Sequence, residues 1–113
     1  MGPLGAVTIR GVPPRPLVTR LDDDVRVLTL AGEIEDAAVA QLVEAIGAGT
    51  ANYTRDLVVD LSGLEFIPSS AIGALAVAMQ RAAGCGHPLE LVAARGTIAA
   101  QVLRVSTLPH RVT

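Results

Sequence analysis

Short blocks of alternating apolar and polar residues open the chain, and helical spacing follows. Leu17 to Leu21 and Val25 to Ala31 are β-rich runs separated by Asp22-Asp23-Asp24, which predicts a hairpin. Gly32-Glu33-Ile34-Glu35 leads to Asp36, a good N-cap, after which Val39, Leu42, Val43 and Ile46 recur at i, i+3, i+4 and i+7. That spacing predicts an amphipathic helix with this stripe turned inward, stopped by Gly47 and Gly49. Asp56 to Leu61 predicts a strand whose Leu57-Val58-Val59 run suits the middle of a sheet. A turn at Ser62-Gly63 and a short apolar piece, Leu64 to Ile67, then precede a helix that begins at Ser69-Ser70 and runs to about Ala83.

Gly84-Cys85-Gly86-His87-Pro88 ends that helix, because Gly and Pro both break helices. Pro88 to Ala93 predicts a further strand. Thr97 caps a third helix carrying Ile98, Val102 and Val105, which ends before Pro109. His110 to Thr113 is short for a packed element. Residues 1 to 16 hold Pro3, Pro13, Pro14 and Pro16, so they are expected to form an irregular arm, with a short edge strand at Val7 to Arg10. Residues 17 to 113 then form one domain. The order β-β-α-β-α-β-α predicts an α/β fold: a mixed four- to five-stranded sheet with three to four helices packed mainly on one face.

Composition sharpens this picture. Half of the 113 residues are hydrophobic, yet only Tyr53 and Phe66 are aromatic, so the core is aliphatic. No apolar run reaches the ~18 residues of a membrane span. The amino terminus has no charged segment ahead of an apolar one, so no secretory signal is expected. The expectation is a soluble, cytoplasmic protein. Net charge is -2, and the nine basic residues are all Arg and spread thinly, which gives direct nucleic-acid binding little support. The single cysteine, Cys85, excludes an internal disulfide and fits a reducing compartment.

The helix that starts at the serine pair carries the candidate site. At 100° per residue, Ile72, Leu75, Ala76 and Met79 fall on one side and are expected to face the sheet. Ser70, Gly73, Ala74, Val77 and Arg81 fall on the other, which has no charge before Arg81. A flat, neutral face of this kind marks a protein partner, unless another element covers it. Either serine can cap the helix. A phosphate on one of them would be tolerated by the helix amino terminus and would place charge beside the neutral face, breaking an apolar interface.

Other chemistry is weakly represented. The Asp22-Asp23-Asp24 cluster reads as a solvated turn, since a hard cation needs six or more oxygens in a shaped loop. Cys85 and His87 lack a second pair for zinc, and His110 suggests nothing specific. No Gly-x-Ser-x-Gly elbow, Walker loop or Gly-x-Gly-x-x-Gly occurs, so no catalytic residues, metal or cofactor are expected, and the chain is read as a binding module, not an enzyme.

Asp60-Leu61-Ser62-x-Leu64-x-Phe66-Ile67-x-Ser69-Ser70-x-Ile72-Gly73, with Gly32 to Glu35 upstream, resembles the STAS domain of bacterial anti-sigma factor antagonists. The resemblance in element order covers residues 17 to 108. It implies a domain that binds an anti-sigma factor, often a serine kinase, and so frees a sigma factor. Phosphorylation blocks that binding and a serine phosphatase restores it. Carried over, Ser70 is the phosphoacceptor and Ser69 its neighbour. The implied partner surface is Glu33, Glu35, Pro68, Ser69, Ser70, Gly73, Ala74, Val77 and Arg81. Pro68 stands in place of the family's Asp, Ala71 in place of its Gly, and Glu35 in place of a common Asp. The lost carboxylate removes a polar contact beside the acceptor, and the Ala71 methyl is expected to narrow a kinase's approach to Ser70. The alternative within the resemblance is a STAS subunit docked permanently in a lipid-transport ATPase or a stress-sensing assembly.

Overall fold

The computed structural model describes residues 15–113; the proline-rich segment through Pro14, with the edge strand expected at Val7 to Arg10, lies outside the described residues. Strands β1 (Val18–Asp22) and β2 (Val27–Glu33) form the expected antiparallel hairpin, with Val18 opposite Ala31 and Asp22 opposite Val27. The acidic triplet is its turn: the Asp22 carboxylate accepts from the Asp24 amide at 3.1 Å, and Asp23 pairs with Arg55. Such side-chain-to-backbone bonding is what favours Asp in turns. Among the described residues no group of three or more His, Cys, Asp or Glu side chains is arranged to hold a metal ion.

A 3-10 turn (Asp36–Ala38) leads into α1 (Val39–Gly49), followed by β3 (Leu57–Phe66), α2 (Ser69–Gly84), β4 (Leu89–Ala93), α3 (Ile98–Val105) and β5 (Arg111–Val112). The sheet order is β1-β2-β3-β4-β5; only the hairpin pair is antiparallel. Leu28, Leu30, Leu57, Val59, Leu61 and Leu91 of the sheet pack in one core with Leu42, Ile46, Leu75 and Leu103 of the three helices. Alternation along the strands therefore gives one helix-covered face and one face without helices. The mixed sheet and the one-sided helices are as the sequence predicts.

Four local expectations are corrected. Ser62-Gly63 is not a turn between two pieces: β3 runs through it as one strand with a bulge. Thr29 pairs with Asp60 but Ala31 with Gly63, two steps on β2 against three on β3. The Asp60 carboxylate accepts from the Ser62 amide at 2.9 Å, and the Ser62 hydroxyl accepts from the Ala94 amide at 2.7 Å. These bonds fasten the bulge to the end of β4, so the Asp-x-Ser part of the motif is structural. Gly47 does not stop α1 but lies within it, and the helix ends at Gly49. A Cβ at Gly49 would sit 2.8 Å from a Leu57 methyl, so its role is close packing against β3.

Helix faces also depart from their predicted phases. In α1 Val39, Leu42 and Ile46 pack inward as expected, while Val43, one residue and about 100° beyond Leu42, is exposed. In α3 Ala99 and Leu103 are the buried pair; Ile98 and Val105 are 51% and 71% exposed. Thr97 does cap α3, accepting from the Ala100 amide at 3.1 Å. Finally, residues 110 to 113 are not too short to pack. Val92 pairs with Arg111 and Ala93 with Val112, giving the fifth strand, which the Thr113 amide extends by donating to the Ala93 carbonyl.

Candidate functional site

Parallel pairing of β2 and β3 delivers two loops to the same end of the sheet. Glu33 lies opposite Phe66, and the Ile34 amide donates to the Phe66 carbonyl at 3.0 Å. The chain after β2 therefore runs beside the chain after β3 until each enters its helix. Ile34 and Ile67 are buried and anchor the two loops in the core. Between them Ser70 Oγ donates to Asp36 Oδ1 at 2.6 Å.

This bond corrects the expected roles of three residues. Asp36 does not cap the first helical segment; Glu35 precedes that turn without a side-chain cap. Neither serine caps α2, whose N-cap is Pro68 with extended backbone and no side-chain bond. Pro68 suits the position because its carbonyl accepts from the Ala71 and Ile72 amides at 3.0 and 3.2 Å, while its missing N–H has no helical partner to lose. With no capping duty, the Ser70 hydroxyl is held by Asp36 at an exposed surface.

The Ala71 methyl is fully buried in the core, so it does not narrow the approach to Ser70 as expected. The sheet-facing stripe of α2 is Ala71, Leu75, Ala78 and Ala82, about one residue out of phase with the predicted one. Ile72 and Met79 are half-buried against the core, and Ala76 is half-buried too. On the far side Ser69, Ser70, Gly73, Val77 and Arg81 are exposed, with Val77 at 63%, and Ala74 is half-buried. Glu33 is half-buried, and Glu35 is exposed beside Asp36. Arg81 stands apart from the serines by three helical turns, its guanidinium lying 4.5 Å from the Tyr53 ring centroid.

Two features escaped the sequence reading. Asp36 reads as a cap in sequence, and only the parallel pairing of distant strands brings it to Ser70. The second is an apolar groove of about 410 Å³ between α2 and α3, lined by Ile67, Ser69, Ile72, Gln101, Val102, Val105 and Ser106. Phe66, 51% exposed, adds apolar surface at the end of β3. The spacing of Ile98, Val102 and Val105 reads as a core stripe, but the fold packs only Val102 against the core and leaves Ile98 and Val105 exposed.

Comparisons with known proteins bear on the family and the fold. The profile described as "Mlab, STAS domain" matches residues 17–111. The chain belongs to the STAS family. Anti-sigma-F factor antagonist RsfB, from two strains of Mycobacterium tuberculosis, is 37% identical over 75 residues, which cover 66% of this chain and 59% of each relative's length. The crystal structure of an anti-sigma factor antagonist from Mycobacterium paratuberculosis superimposes on this STAS domain with a TM-score of 0.71 at 28% identity, covering 85% of this chain and 82% of that one. A candidate anti-sigma factor antagonist from Thermotoga maritima shares the fold at a TM-score of 0.59 and 13% identity, with 86% of each chain covered.

Proposed function

We propose that this STAS domain is an anti-sigma factor antagonist. It binds an anti-sigma factor of the serine-kinase type through the Ser70 end of α2, and the bound factor releases its sigma factor. Phosphorylation of Ser70 by that kinase ends the complex, and a serine phosphatase restores it. The domain acts in the cytoplasm as a binding module and performs no catalysis itself. No helix among the described residues is long and apolar enough to cross a membrane.

The observation that carries this reading is the setting of Ser70: exposed, in the first turn of α2, bonded to Asp36, at the head of a helix face without charge before Arg81. The 37% identity to anti-sigma-F factor antagonist RsfB over 75 residues, and the fold shared with an anti-sigma factor antagonist of Mycobacterium paratuberculosis, support the same reading. A phosphate on Ser70 Oγ would lie at a helix amino terminus, which tolerates it, and against the Asp36 carboxylate, which does not.

Purified protein mixed with a serine-kinase anti-sigma factor and ATP tests both halves by binding and by intact mass. Binding with one added phosphate on Ser70 is the expected result. Binding without phosphate leaves an unswitched antagonist, and no binding to any such kinase overturns the reading. A pull-down from the native cell that returned a lipid-transport ATPase or a stress-sensing assembly would favour permanent docking instead.

A further inference from the structure

The outward face of α3 places two large apolar side chains, Ile98 and Val105, beside the polar Gln101 and Arg104. Ile98 and Val105 are each more than half exposed, and Val102 between them is half-buried, one side against the core. Val102 and Val105 wall the groove that reaches Ser69, so this groove is continuous with the Ser70 surface. On the other flank of α3 lies a second groove, of about 460 Å³, lined by Arg95, Arg104 and His110 and by no carboxylate. Gln101 lines both grooves, so they meet across one helix.

Charge is distributed unevenly around this helix. The protein is acidic overall, at -2, yet this groove gathers two arginines and a histidine. Arg15, Arg55 and Arg111 each pair with a carboxylate and Arg81 stacks on Tyr53. Among the described residues Arg20, Arg26, Arg95 and Arg104 form no ion pair, and of these Arg95 and Arg104 share a groove that no carboxylate lines, whereas Arg26 lines one with Asp56 and Glu90. Unpaired guanidiniums beside the open apolar groove between α2 and α3 fit a partner that brings both missing halves: apolar side chains and carboxylates.

We infer that the docking surface of this domain extends from Ser70 across α3, and that it receives a segment of the anti-sigma factor with apolar residues for the Ile67–Val105 groove and acidic residues for Arg95 and Arg104. This rests on the proposed antagonism. An extended groove pair spanning a helix suits a polypeptide better than a small anion, which would use only the basic half. The acidic segment steers encounter, and the apolar groove slows dissociation.

The test measures affinity for a serine-kinase anti-sigma factor with wild-type protein, Val105→Asp, the double variant Arg95→Glu/Arg104→Glu, and Val43→Asp as a surface control on α1. All four sites are exposed, so thermal melts should match wild type. Val105→Asp and the double variant should each weaken binding roughly tenfold or more, with the double variant also losing the salt dependence. Val43→Asp should bind normally. If both α3 variants bind as wild type while Ser70→Glu still weakens the complex, the surface stops at α2 and the inference is overturned, with antagonism intact. If no anti-sigma factor binds wild type, antagonism fails, and an acidic amphipathic peptide tests the groove alone. Amide shifts confined to α3 that vanish with the Gln-for-Glu peptide would sustain the groove, whereas no shifts at millimolar peptide would overturn it.

Discussion

Ser70 Oγ donates to Asp36 Oδ1 at 2.6 Å, joining the first turn of α2 to the 3-10 turn ahead of α1. The two loops have no reason to meet in sequence; they meet because β2 and β3 run parallel and end together. An unmodified hydroxyl fits this site as a donor to the carboxylate. A phosphate or a glutamate at position 70 offers only negative oxygens, so attraction becomes repulsion at hydrogen-bond distance. Ser70→Glu should therefore weaken anti-sigma factor binding by about tenfold or more. Ser70→Ala should stay close to wild type, because it removes an exposed hydrogen bond without adding charge. Titration calorimetry of the three proteins decides this, and equal affinities would remove Ser70 from the interface.

If repulsion from Asp36 underlies the switch, the two positions must be coupled. Asp36→Asn in the Ser70→Glu background should recover part of the lost affinity, since the amide offers a donor where the carboxylate offered charge. A double-mutant cycle reads this coupling directly. Additive effects would mean that the charge at position 70 acts on the partner alone. Asp36→Asn by itself should change stability by only about 0.5–1 kcal/mol, the size of one exposed hydrogen bond, as checked by urea unfolding.

Gly73 separates fold from docking. It lies inside α2 on the exposed face, and an added Cβ would meet nothing within 4 Å. Gly73→Ala should stabilise the domain by about 0.5–1 kcal/mol, because glycine weakens a helix interior. Gly73→Gln should also fold, yet its side chain would stand on the proposed docking face one turn from Ser69. Denaturant midpoints that rise while partner affinity falls are the expected pair of results. Unchanged affinity for Gly73→Gln would place the contact elsewhere.

The elements were legible wherever local chemistry set them. The Asp22-Asp23-Asp24 turn, the Thr97 cap and the Gly-rich end of α2 all carry their cause within a few residues. Phases were harder to read. Ala71, Ala78 and Ala82 carry the buried face of α2, but alanine gives too weak an apolar signal to outrank Ile72 and Met79. The stripe Ile98, Val102 and Val105 reads as inward, yet only Val102 packs against the core, because apolar spacing alone cannot say which side the fold leaves open. What the sequence could not show were relations between distant segments. Asp36 reaches Ser70, Ser62 reaches Ala94, and Arg111 reaches Glu90 only through strand pairing. The serine pair was found by its motif, and its partner was not.

Gly32 shows what the close approach of distant backbone demands. Its φ of 94° is left-handed, and a Cβ there would fall 2.2 Å from the Pro16 carbonyl oxygen. The Arg15 carbonyl accepts from the neighbouring Glu33 amide at 3.0 Å, so the segment entering β1 is held against the end of β2 and cannot easily retreat. Residues 15 and 16, counted with the arm by their proline content, are thus packed onto the domain. Gly32→Ala should cost about 3 kcal/mol, combining left-handed strain with backbone overlap. Gly47→Ala, where a Cβ meets nothing, is the matched control and should not destabilise. Equal unfolding midpoints for the two variants would contradict this account.

The carboxy-terminal strand should respond to acid. Arg111 Nε donates to Glu90 Oε2 at 2.8 Å, and this bond holds the Glu90 carboxyl below the usual carboxylate range while raising Arg111 further above neutrality. A carboxyl depressed in the folded state gives stability that is fully present above its unfolded pKa and is lost as pH falls through the folded value. Docking of β5 should therefore be constant through neutral pH and loosen only below the ordinary carboxylate range. Both side chains are exposed, so the effect should stay local to β5 instead of unfolding the domain. Amide exchange at Val112 and Thr113, followed as pH is lowered, reads it directly. Glu90→Gln should exchange faster at neutral pH and lose the acid-dependent step. If Glu90→Gln kept the wild-type pH profile, β5 would be held by its backbone pairing to Val92 and Ala93 alone.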